Sequence, residues 1–139
     1  MGKALVEPHR PVDDWQRKLE EWLADVERII GQAKAWAEKR EWATKLDKLS
    51  ITEEVFGTYE APQLLIHTAQ GRLLLDPVGK DIIGAQGRFD FCVMPSYDAV
   101  PLIKTDGNWE FFPLSREDLR CSWSEESFEK VALELLKMK

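Results

Sequence analysis

Apolar residues at Trp15, Leu19, Trp22, Val26, Ile29, Ala33 and Trp36 recur at spacings of 4, 3, 4, 3, 4 and 3. That is the period of a helix showing one face to a partner surface. A seam so narrow would by itself suit a coiled coil, but Leu23, Ile30 and Ala37 lie beside it and widen it to the stripe of a helix packed on its own domain. Asp13 and Asp14 can accept from the unpaired amides of a first turn, and the seam ends at Arg40. The pattern predicts a helix from about residue 13 to about 41. Residues 1–12 carry two prolines and no period, which reads as an extended arm ahead of a single domain over 13–139.

After Trp42 the period shortens. "LSITEE" and "FGTYEAP" mix β-branched and aromatic residues with turn formers, and each suits a strand or strand end. "LLIH" and "RLLLDP" are apolar runs without alternation, as expected of central strands covered on both faces. "RFDFCVM", "AVPLIKT" and "WEFF" follow, separated by "PSYD" and by Asp106-Gly107. Pro101 removes a ladder donor, which points to an edge or a bulge. Residues 77–87 read as a loop anchored by Ile82 and Ile83, and "SREDL" as one helical turn. Ser122 and Ser124 offer caps for a last helix, Ser122 at capping-box spacing from Glu125, with Phe128, Val131, Ala132, Leu135 and Leu136 as its apolar face. No helix separates successive strands. The expected class is therefore α+β: a long N-terminal helix, an antiparallel meander of about five strands, and a C-terminal helix packed on the sheet.

Charge bears on partners. With 25 acidic and 19 basic residues the net charge is −6, which repels a phosphate backbone and argues against nucleic acid. An acidic chain suits a basic protein partner. The two cysteines, 29 positions apart, lack disulfide-scaffold and zinc spacing and fit a reducing, cytoplasmic setting. No apolar run is long enough to span a membrane.

Asp90 and Lys104 resemble two members of the metal-and-lysine corner that a restriction-endonuclease-like enzyme requires, in which carboxylates hold Mg²⁺ and an ammonium steadies the attacking water. The second carboxylate belongs two residues before the lysine, and Leu102 stands there. Asp76, Asp90 and Lys104 thus form at most an incomplete set, the catalytic alternative of a nucleic-acid-processing relic. His67 and the cysteines share no ligand spacing, and no phosphate-binding glycine fingerprint occurs, so neither a metal nor a cofactor is expected. The absence of a complete catalytic set weighs against an enzyme. Trp15, Trp22, Trp36 and Tyr97 are of the kind that anchor protein interfaces. The expectation is a non-catalytic interaction module, an accessory or inhibitor-like subunit of the immunity or antitoxin type. Tyr97 and Asp98 at a turn tip, with Trp15, Trp22 and Trp36, are its candidate contacts; a homodimer through the tryptophan seam is a further alternative.

Overall fold

A computed structural model describes residues 11–80 and 85–138. Helix α1 spans Pro11–Lys39, and seven strands follow: β1 Ala43–Glu53, β2 Gly57–Thr68, β3 Gly71–Gly79, β4 Gly87–Met94, β5 Asp98–Thr105, β6 Asn108–Phe111 and β7 Cys121–Ser122. A 3-10 turn at Glu117–Leu119 precedes β7, and helix α2 spans Glu125–Met138. The strands pair antiparallel in chain order, so the architecture is α+β with a seven-stranded meander rather than one of about five strands. Both extra strands lie at the sheet's edges, β1 at one and the two-residue β7 at the other. "FGTYEAP" and "LLIH" merge into the single strand β2. Among the described residues no helix is long and apolar enough to cross a membrane.

Pro11 and Val12 belong to α1, ahead of the expected start at Asp13, because proline's fixed φ and missing N–H suit a first helical turn. Residues 1–10 of the expected arm, and the Ile82-Ile83 anchor, lie outside the described residues. The helix ends with Glu41 in the left-handed region at φ 63°. There the Trp42 amide donates back to the Ala37 carbonyl at 3.0 Å, closing the last turn. At α2 the cap is Ser124, not Ser122. Ser124 Oγ accepts from the Ser127 amide at 3.1 Å and Ser127 Oγ accepts from the Ser124 amide at 2.9 Å, whereas Ser122 is held in β7 opposite Glu110. Glu125, left out of the capping box, pairs with Arg40, just past the end of α1, at 3.0 Å.

Both helices rest on one face of the sheet. Alternation along β4 sends Phe89, Phe91 and Val93 to that face, all fully buried. The α1 indole of Trp22 packs on Phe89 at 5.6 Å and Trp109 at 6.3 Å, and the α2 ring of Phe128 stacks on Phe91 at 5.4 Å and meets Trp36 at 5.7 Å. The expected cover on both faces of β2 and β3 is therefore not found among the described residues. Leu74 on the far face is nonetheless only 9% exposed, so the apolar run of β3 is buried on both sides.

The sheet is cupped. Pairing of β2 with β3 stops at Leu64 and Leu75; continued, it would set Pro62 directly opposite Pro77, and neither could donate to the ladder. The strands part there, and the far end of the β1–β2 hairpin closes over α1. Its Tyr59 hydroxyl accepts from Trp22 Nε1 at 2.9 Å and donates to Glu53, and Glu53 in turn accepts from the Lys80 amide at 3.1 Å. Pro101 sits in an internal strand rather than at an edge, because its carbonyl accepts from Phe112 just past the end of β6, where no ladder donor is missed.

Two glycines report on this packing with opposite signs. A methyl at Gly87 would lie 2.9 Å from the Trp22 ring and 3.1 Å from that of Trp109, whereas one at Gly31, in the middle of α1, meets nothing within 4 Å. Gly87→Ala should lower unfolding free energy by roughly 1–3 kcal/mol through overpacking. Gly31→Ala should raise it by up to about 1 kcal/mol through helix propensity. Urea denaturation of the two variants checks both; equal and small effects would mean that the Trp22–Trp109 contact is loosely packed.

Candidate functional site

Alternation places Arg88, Asp90 and Cys92 of β4 on the face away from the helices, beside Leu74 and Asp76 of β3 and Ala99, Pro101 and Ile103 of β5. The register sets Asp76 directly across from Asp90. Two of the three residues of the catalytic alternative therefore do meet, on the sheet face away from the helices. Asp90 is neutralised by Arg88, whose guanidinium donates to Oδ1 at 2.9 Å. Asp76 has no such partner among the described residues, where its Oδ1 is buried without a hydrogen bond. Burial, and behind it the charge of Asp90, raises the Asp76 carboxyl above its ordinary value of 3.8.

Lys104 is not part of this group. It stands opposite Gly87 and Trp109 on the helix side of the sheet, where its ammonium lies 2.7 Å from Asp25 of α1. One position of strand parity separates it from the aspartates, so the metal-and-lysine corner is not assembled. Among the described residues no three His, Cys, Asp or Glu side chains gather closely enough to hold a metal ion. Cys92, beside the two aspartates, is a poor nucleophile: burial, then the charges of Asp90 and Asp76, push its thiol up to about 12. Burial also raises the thiol of Cys121. His67 is exposed at the end of β2, opposite Ala43 and Arg72, away from either cysteine's strand position.

The tryptophans of the seam are used internally. Trp22 is 1% exposed, and Trp36 leans on Trp123 at 5.1 Å and on Phe128. Trp15 is half-buried near the start of α1. Trp22 thus spends its ring on the chain's own sheet, and the part-buried Trp36 packs on residues at the start of the second helix.

Tyr97 is the opposite case. It is 57% exposed, in the all-exposed stretch from Pro95 to Ala99 between β4 and β5. Its backbone is left-handed, at φ 64°, a region that a bulky side chain occupies only when its surroundings impose it. What imposes it is visible: the Tyr97 amide donates to the Val93 carbonyl at 2.7 Å, and Ser96 Oγ links to the Asp98 carboxylate at 3.1 Å. Asp98 is itself exposed and lies beside the ring in the chain.

Two features had no counterpart in the sequence reading. One is the Trp22–Tyr59–Glu53 chain, whose members are separated by 37 and 6 positions; burial, followed by the hydrogen bond to Glu53, raises the Tyr59 phenol well above its ordinary value. The other is a cleft of about 470 Å³ lined by Arg28, the β5–β6 turn, Trp109, Ser122 and Trp123. Two of its lining charges are paired, Arg28 with Asp25 at 3.2 Å and Glu110 with Arg120 at 3.9 Å.

No protein-family model, curated protein or solved structure matches this chain.

Asp76 yields a pH prediction. A carboxyl whose folded pKa is raised binds more protons folded than unfolded between the two values, so stability falls as pH rises through that window. Asp76→Asn removes the fall. It should be more stable than wild type at about pH 7 and lose that advantage at about pH 3.5, below the ordinary aspartate value. Urea midpoints at the two pH values measure this; an asparagine variant less stable at neutral pH would mean that the carboxylate is held by an attraction.

Proposed function

We propose that the protein is a non-catalytic interaction module that binds another protein through the β4–β5 turn, with Tyr97 as the anchor and Asp98 as the charged contact beside it. The observation that carries the reading is the strained, exposed backbone of Tyr97 at φ 64°. A tyrosine in this conformation costs about 1 kcal/mol or more, which glycine would avoid, and such strain is characteristic of functional sites. Tyrosine supplies large contact area at low conformational cost, and is enriched among the residues that dominate binding energy.

The partner this chemistry fits is a basic protein. The chain carries a net charge of −6, and an acidic field speeds encounter with a basic surface. The turn adjoins the sheet face away from the helices, where the part-exposed Ile103 lies beside the Arg88–Asp90 pair. The role is that of an accessory or inhibitor-like subunit in a reducing, cytoplasmic setting, where the raised thiols of Cys92 and Cys121 remain free and unreactive.

Tyr97→Gly separates binding from folding. It should raise unfolding free energy by about 1 kcal/mol as the strain is relieved. It should also abolish capture of the partner from native lysate by the immobilised chain, and Asp98→Lys should weaken that capture. Capture undiminished by Tyr97→Gly, or no saturable capture by wild type, would sink the proposal.

A further inference from the structure

The two edges of the sheet are unequal. The edge at β7 is two residues long, too short to template another strand. The edge at β1 is 11 residues long, and among the described residues no strand pairs with its outer side. An open edge of this length presents a row of unpaired backbone donors and acceptors, and proteins commonly block one with charges of a single sign. Here the charges alternate. Lys45 and Asp47 occupy the same side of β1, their charged atoms 3.8 Å apart, and between them Leu46 is 48% exposed on the other side.

That pattern is self-complementary. Antiparallel pairing of β1 with a second β1 about a two-fold axis keeps side-chain faces matched only when the axis passes through a residue. An axis at Lys45, Asp47 or Lys48 sets like charges directly opposite each other. An axis at Leu46 sets Lys45 across from Asp47 of the second copy, twice by symmetry, and stacks the two Leu46 side chains on the opposite face. We propose that the protein forms a homodimer by joining β1 edge to edge in this register, extending the meander into one continuous sheet across two copies. The occupant is a second copy because the charges and the exposed leucine complement themselves. The surface is the β1 edge, separated by β2 and β3 from the strands that flank Tyr97, so its failure would leave the reading of the β4–β5 turn untouched.

Light scattering of wild-type protein should give twice the 16.1 kDa chain mass in a concentration-dependent manner up to roughly 200 µM. Asp47→Lys places two lysines across from each other and should raise the dimer dissociation constant at least about tenfold. The double variant Lys45→Asp with Asp47→Lys exchanges the charges and should restore dimer to within about threefold of wild type. Register is read separately: Leu46→Cys, whose Cα atoms would face across the axis, should form an interchain disulfide under mild oxidation, and Lys48→Cys should not. A chain that stays at 16.1 kDa throughout, as it would if the edge were reserved for a different strand, overturns the proposal. So does a dimer indifferent to Asp47→Lys, or equal crosslinking through Leu46→Cys and Lys48→Cys.

Discussion

Trp22 is the residue on which the rest of the arrangement depends. Its ring wedges α1 against Phe89 and Trp109, and its Nε1 reaches out of the apolar contact to Tyr59. The same side chain thus fixes the helix to the middle of the sheet and fixes the folded-over hairpin to the helix. An indole suits this double duty because it joins a large apolar body to a single directional donor. The chain shows the accommodation at Gly87, where a methyl group would collide with the ring.

A polar brace at the other end of the helix plays the corresponding role for α2. Arg40 donates to the Trp36 carbonyl at the end of its own helix and forks to Glu125 and Glu129 at 3.0 Å each. The two carboxylates lie four positions apart in α2, one turn of helix, which is the spacing a guanidinium fork can span. Hydrogen bonds from Lys39 and then Arg40 hold Glu125 below its ordinary range, and the one from Arg40 does the same for Glu129. The helices are thereby set on one face by aromatic contact along their length and by charge at their meeting point, and the opposite face is left to the β3–β5 side chains.

What was legible in the sequence was whatever depends on local period. The α1 seam, the α2 face and the Asp106-Gly107 turn, with both residues at positive φ, follow from spacing and from residue type. The class followed because no helical period interrupts the strands. Edge strands were harder, since β1 is covered on neither side in the way that gives an apolar run, and β7 is too short to carry any pattern. The aspartates were singled out one at a time; that Asp76 faces Asp90 is a property of hairpin register, set across a loop whose length the residues do not announce. Lys104 misled for the same reason, because a difference of one position in strand parity decides whether a side chain meets Asp90 or Asp25. Tyr97 was found as a turn tip, but its strain was invisible without a backbone.

The facing prolines at the mouth of the hairpin have a consequence for shape. Sheets ordinarily grow by zippering, each bond making the next one easier, and curvature must compete with that cooperativity. Pro62 and Pro77 would meet two rungs beyond Leu64 and Leu75, where neither has an amide hydrogen to offer, so continued zippering there gains little. Two missing amide hydrogens thus lie where β2 leaves β3, and the freed end of β2 carries Tyr59 to Trp22 of α1.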